Sequence, residues 1–188
     1  MGTGVVFKPP FNNLKRFLSK DICFISAQNA GNIENKGLVD KSANANLPVH
    51  FFTIVLNGEP FIRYHIDIFK RLSFKWHWHI IEGVAELKHD TAWSFQNGGC
   101  ISDELHRCGL SNDGTTKYLD EIVREYPENI SIYRKPEGMF WSGKLEMINA
   151  PLENINEECL LWQVDADELW TVEQICTGRV MFMAEPDR

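Results

Sequence analysis

Residues Leu160–Trp170 read LLWQVDADELW, an apolar run that ends on two aspartates one residue apart. A run of this length, bounded by charge, suits a strand buried on both faces of a parallel sheet, and in open α/β sheets ligands bind beyond the carboxyl ends of the strands. Asp165 and Asp167 therefore fall where a ligand belongs. Residues i and i+2 of an extended chain point to the same side, so both carboxylates can reach one hard cation. A metal held by so few protein oxygens keeps positions open for diphosphate oxygens. The plainer alternative is that the pair caps the next helix or faces water.

Working outward, His50–Leu56 (HFFTIVL) is a second β-rich apolar run, followed by Asn57, Gly58, Glu59 and Pro60. Proline after a polar cap candidate marks a helix start, and Phe61, Ile62, His65, Ile66, Phe69 and Leu72 recur at helical spacing. Trp76–Ile81 (WHWHII) supplies a further strand, ending at Glu82 and Gly83. Residues 84–114 are glycine-rich and weakly periodic, longer than an ordinary connection, and read as an insertion. Thr115 or Thr116 then caps a helix that Tyr118, Leu119, Ile122, Val123 and Tyr126 face and Pro127 stops. Ile130–Tyr133 reads as a short strand and Gly143–Ala150 as a short helix closed by Pro151. Thr171 and Gln174 have capping-box spacing for a last helix. Strands alternating with helices predict an α/β fold of three αβα layers around a mostly parallel sheet with right-handed crossovers.

A chain of 188 residues fits one domain with a real core. Residues 1–47 carry seven asparagines and one compact apolar patch, Ile22–Ile25, so they read as an N-terminal extension, with room for one short strand, to a domain over 48–188. An apolar content of 44% argues for a globular chain, and a net charge of −7 gives no basic footprint for nucleic acid. An acidic protein that is to hold a diphosphate needs a metal or a local cation. Five cysteines without a CxxC argue against a disulfide framework. Cys100, His106 and Cys108, and the pair His77 and His79, match no common zinc spacing. The N-terminus lacks a charged start followed by an apolar core, and no apolar run approaches the ~20 residues of a membrane span. The chain reads as cytoplasmic.

The segments FFTIVLNGEPFIRYHI, IIEG, SNDGTTKYLDEI and VDADE occur in that order. Together they resemble the N-terminal half of a GT-A glycosyltransferase of the family 2 type: its first strand with an Asn/Glu turn, its acidic residue, its Ser/Asp/Gly/Thr turn, and its DxD motif. The resemblance covers residues 48–188 and implies a GT-A fold, the Rossmann-like nucleotide-diphospho-sugar transferase fold. The implied activity is glycosyltransferase, hexosyltransferase-like: a sugar moves from a nucleotide-diphosphate donor to the hydroxyl of a glycan or other acceptor. By position, Leu56, Asn57 and Glu59 would line the nucleotide pocket, Glu82 would contact base or ribose, and Asp113 would lie near the same pocket. Asp165 and Asp167 would hold Mn²⁺ or Mg²⁺ against the diphosphate of the nucleotide sugar. The ion would act as a Lewis acid on the leaving group while the acceptor attacks the anomeric carbon.

Each of these residues also has a plainer reading. Asn57 and Glu59 suit a helix cap, Glu82 an ordinary strand end, and Asp113 with Gly114 an ordinary turn. Lys144 is a phosphate contact or a solvated lysine; Trp141 and Phe140 form a sugar-stacking wall or cover the sheet edge. Glu168 is placed to support the metal site. The insertion after Glu82 separates parts of a turn that the family keeps contiguous. The family's acceptor-side half, with its general base, lies beyond the DxD motif, so the expectation is an N-terminal portion to which no catalytic base is assigned. A non-catalytic or truncated nucleotide-sugar-binding domain is the main rival. A haloacid-dehalogenase-type phosphatase wants its aspartate strand early in the chain. A sugar-phosphate nucleotidyltransferase wants a glycine-rich, basic first loop that LNGEPFIR lacks.

Overall fold

A computed structural model describes residues 3–7, 47–86 and 101–184. The elements are β1 (Thr3–Phe7), β2 (Val49–Val55), α1 (Ile62–Phe69), β3 (Trp76–Glu82), α2 (Thr115–Glu125), β4 (Ile130–Tyr133), α3 (Lys144–Asn149), β5 (Cys159–Gln163) and α4 (Val172–Ala184). They build one five-stranded sheet of order β1-β5-β2-β3-β4. β2, β3, β4 and β5 run parallel, and β1 pairs antiparallel with β5. The α/β class and the mostly parallel sheet are thus as the alternation of apolar runs predicts.

β2 is largely apolar, with His50 and Thr53 as its polar residues, because both faces are covered. Val49, Phe51, Trp78, Ile130, Leu160 and Trp162 meet Ile62, Ile66 and Phe69 of α1, Leu119 and Ile122 of α2, and Ile175 of α4. On the opposite face Phe52, Ile81 and Cys159 pack against Trp141, Met147 of α3, and Ile155. The chain runs outward from β2 through β3 to β4, then crosses back to lay β5 on the other side of β2. That reversal of strand order sets the carboxyl ends of β2 and β5 side by side, the place where open α/β sheets take ligands.

Several local expectations are corrected. β1 lies within the stretch read as an extension, and it covers the outer edge of β5 in register from Thr3 opposite Gln163 to Phe7 opposite Cys159. Its signal, Val5-Val6-Phe7, is short and is obscured by the asparagine-rich composition of residues 1–47. The Ile22–Ile25 patch lies outside the described residues. α1 starts at Ile62, with Pro60 in the preceding turn after a cis Glu59–Pro60 bond. Neither threonine caps α2: Gly114 holds the cap position with φ 107°, and Asp113 Oδ1 accepts the Thr115 N–H at 2.9 Å. The capping box of α4 does form, with Thr171 N–H donating to Gln174 Oε1 at 2.8 Å and Gln174 N–H to Thr171 Oγ1 at 3.2 Å. Among the described residues no helix is long and apolar enough to cross a membrane.

At the amino end of the sheet, His50, His77 and His79 stack on one face, with ring centroids 4.5–5.7 Å apart. His50 Nε2 lies 3.4 Å from Glu157 Oε1, and a carboxylate can only accept. His50 Nε2 therefore carries the proton and Nδ1 accepts from His79 Nε2 at 2.8 Å, which leaves His79 Nδ1 to accept from the Tyr133 hydroxyl at 3.0 Å. Burial, then the charge of His77, lowers His50 to about 4, and the same causes with His50 lower His79 to about 2.

Candidate functional site at the carboxyl end of the sheet

Beyond β5, the Val164 N–H still donates to Phe52 O of β2 at 2.9 Å, so the chain stays aligned with the central strand for one further residue. It then turns. Glu168 N–H donates to Asp165 O at 3.0 Å, and the Glu168 carboxylate returns to accept the Asp165 N–H at 3.2 Å. Between the two aspartates, the Ala166 carbonyl accepts from His65 Nε2 of α1 at 2.9 Å. Ala166 faces inward and both Asp165 and Asp167 are exposed. Burial holds the His65 imidazole below its ordinary pKa, partly offset by the Ala166 bond and the Asp167 charge, so the ring is neutral near pH 7.

The turn after β2 meets this one directly. Gly58 is buried, and a Cβ placed there would stand 2.6 Å from Val55 Cγ2, 3.2 Å from Ile62 Cβ and 3.6 Å from Ala166 Cβ. Only glycine allows that approach. Leu56 and Asn57 are half-buried at the rim, and Asn57 takes a left-handed φ of 57°, which asparagine tolerates better than most residues.

Asn57 and Glu59 are not helix caps, since α1 has no side-chain cap. Asn57 Oδ1 accepts the Asn112 N–H at 2.9 Å, its Nδ2 donates to Leu105 O at 2.7 Å, and its own N–H donates to Ser111 Oγ at 3.1 Å. Glu59 N–H donates to Asp113 Oδ2 at 2.9 Å, while the Glu59 carboxylate accepts from Arg63 Nε at 2.8 Å. Residues 101–114 thus fold back onto the first turn, and the separation in sequence between Glu82 and Asp113 is closed in space. Burial pushes the Asp113 carboxyl up, but the Thr115 and Glu59 amides outweigh it and hold the group below the usual carboxylate range.

Glu82 is fully buried. Its Oε1 accepts from the Ser111 N–H at 3.2 Å and the Thr116 hydroxyl at 2.5 Å, and its Oε2 from Arg134 Nε at 2.6 Å. Arg134 also reaches Asp120 Oδ1 at 2.6 Å. The carboxylate is directed at its own chain, where it fastens the loop before α2 to the end of β3. Trp141 is buried and donates from Nε1 to Glu82 O at 3.1 Å, so it covers the sheet end. Phe140 is partly exposed, edge-on to His106 with centroids 5.3 Å apart, and Lys144 is exposed.

His65, Ser111, Thr116 and Arg134 were not among the residues expected from sequence. The polar run SNDGTT hinted at the hydroxyls; nothing local marked His65 or Arg134, whose partners lie 101 and 52 residues away. Among the described residues no group of three or more His, Cys, Asp or Glu side chains is arranged to hold a metal, which gives no support to the His77/His79 and His106/Cys108 zinc readings, and equally leaves Asp165 and Asp167 as two carboxylates without a third such ligand. Cys100 lies outside those residues. A hollow of about 190 Å³ between α1 and Leu169, Trp170 and Ile175 is apolar and smaller than the ~300 Å³ and upward typical of ligand pockets, so it suits no nucleotide.

No family model matches the sequence, and no curated protein or solved structure matches it either. The chemistry open to the site is set by its own groups. Two exposed carboxylates stand on one short turn, next to a second turn whose backbone is laced into a fixed rim. Such a rim can receive a polar ligand, and the carboxylates can hold it through a shared cation.

Proposed function

We propose that this protein binds a nucleotide-diphosphate sugar at the carboxyl ends of β2 and β5 and is a metal-dependent glycosyltransferase of GT-A type, or its donor-binding portion. One observation carries the reading: Asp165 and Asp167 are exposed on either side of an inward-anchored Ala166, where the strand order reverses. The donor set fits Mn²⁺ or Mg²⁺, since both are hard cations that take carboxylate oxygens and share the remainder of their coordination with phosphates and water. Asp165 and Asp167 would hold the ion, which when bound neutralises charge on a departing nucleoside diphosphate as a Lewis acid.

The protein's own residues do the positioning. Glu168 accepts the Asp165 N–H and keeps the aspartate turn closed. Leu56, Asn57 and Glu59 form the facing rim, stiffened by Ser111, Asn112 and Asp113. In this reading Glu82 supports the nucleotide pocket through the loop it fastens and not by touching base or ribose.

Calorimetric titration of UDP and of GDP, with and without Mn²⁺, tests the proposal. One of the two nucleotides is expected to bind only with the metal. Metal-independent binding, or none by folded protein, overturns it. Metal-dependent binding without transfer to any acceptor assigns the chain to donor binding alone.

A further inference from the structure

We infer that His65 is a positioning residue for the aspartate pair, setting the aim of Asp165 and Asp167 from the far side of the turn; the inference rests on the donor-binding reading above. His65 is 3% exposed on the inner face of α1, with its ring 5.8 Å from Phe69 and 5.5 Å from Trp78, so the side chain has one seat. From that seat Nε2 reaches Ala166 O at 2.9 Å. A carbonyl only accepts, so Nε2 carries the proton and the bond is directional. The anchored peptide lies between the two candidate ligands. Ala166 and Asp167 are the central residues of the turn that the Glu168 N–H closes on Asp165 O, so holding the Ala166 carbonyl from behind fixes the backbone on which both exposed aspartates stand.

The turn has two further supports. Val164 is tied to β2 through Phe52 O at 2.9 Å, and the Asp165–Glu168 pair closes the turn in both directions. The second also holds the Asp165–Ala166 peptide, whereas His65 holds the Ala166–Asp167 peptide, and does so from the core side of the turn. Partners that orient metal ligands from behind typically change metal affinity by about 10–100-fold when removed. His65 fills that role through the backbone of the motif.

The test compares His65→Met, which keeps the bulk and removes the donor, with His65→Gln, whose amide nitrogen reaches the place of Nε2. Mn²⁺ affinity in the presence of UDP or GDP is measured by calorimetry on each, below its unfolding temperature. His65→Met is expected to weaken Mn²⁺-dependent binding about tenfold or more, and His65→Gln to restore it to within about threefold of wild type. If His65→Met does not fold, His65→Asn replaces it, because its amide is too short for Ala166. Equal affinity in Met and wild type, or Gln as weak as Met or Asn, overturns the role of His65 while leaving donor binding intact. Wild type that takes up neither Mn²⁺ nor nucleotide overturns both.

Discussion

At the amino end of the sheet His50 and His79 are buried, and each ring nitrogen meets a partner from the same chain. At the carboxyl end Asp165 and Asp167 are exposed and anchored through their backbone, with Asp165 Oδ1 accepting only a long bond from Gln163 Nε2 at 3.5 Å. Both clusters are polar residues at alternating positions, HWH in one case and DAD in the other. The difference is where the partners come from. The histidines use their hydrogen-bonding capacity on each other, Glu157 and Tyr133 and hold the fold; the exposed aspartates leave most of theirs to solvent. Glu82, although at the carboxyl end, belongs with the histidines, because Arg134, Ser111 and Thr116 enclose it.

The sharpest way to break this contrast is Glu82→Ala. Removing one partner of a buried ion pair typically costs about 3–5 kcal/mol, and here the change strips the Ser111 N–H of its acceptor and leaves Arg134 with Asp120 alone. Urea unfolding should show a loss of about that size; a loss below about 1 kcal/mol would move Glu82 into the class of solvent-facing carboxylates.

The histidine stack predicts a pH dependence of its own. The folded-state pKa of His50, about 4, lies below the ordinary 6.5, so the unfolded chain takes up the proton first as pH falls. The stabilisation is complete above about pH 6.5 and is lost progressively towards pH 4, with His79 extending the loss further down. From pH 7 to pH 5 this amounts to roughly 2 kcal/mol from His50 alone, above the range in which paired carboxylates titrate. Unfolding titrations at the two pH values measure it, and His50→Gln should flatten the slope. A slope unchanged by that substitution would remove the stack from the explanation.

Gly58→Ala probes the contact between the two turns. The added Cβ would stand 2.6 Å from Val55 Cγ2, so something must shift. Overpacking of this kind costs about 1–3 kcal/mol, and thermal unfolding should register at least the lower figure. The smallest effect is expected for the double substitution Asp165→Asn with Asp167→Asn, within about 0.5 kcal/mol of wild type, as befits exposed side chains. A large loss of stability there would make the aspartates structural.

The parallel strands were legible because burial on both faces favours runs rich in large apolar, aromatic and β-branched residues: HFFTIVL, WHWHII and LLWQV each end within a residue of the observed strand. The aspartates were legible for the same reason, since the end of a buried strand fixes the position of the residues just beyond it. The burial of Glu82 was not, because it depends on Arg134, 52 residues on, which no local pattern links to it. Thr115 and Thr116 carry the composition of a cap but are drawn away by tertiary partners, Thr115 to the Gly58 N–H at 2.8 Å and Thr116 to Glu82. A short strand within residues 1–47 was open from the sequence, but its place at Thr3–Phe7 was not, because Val5-Val6-Phe7 is a brief signal beside an asparagine-rich stretch.

Mn²⁺ uptake followed by electron paramagnetic resonance, with UDP or GDP present, in wild type and in the Asp165→Asn, Asp167→Asn double variant, tests the central claim most directly. Wild type should bind the ion in a nucleotide-dependent way, and the equally stable double variant should bind it at least about tenfold more weakly, a difference of about 1.4 kcal/mol. Equal uptake by the two proteins, or none by wild type, would contradict the assignment of the aspartates to a metal held against a diphosphate.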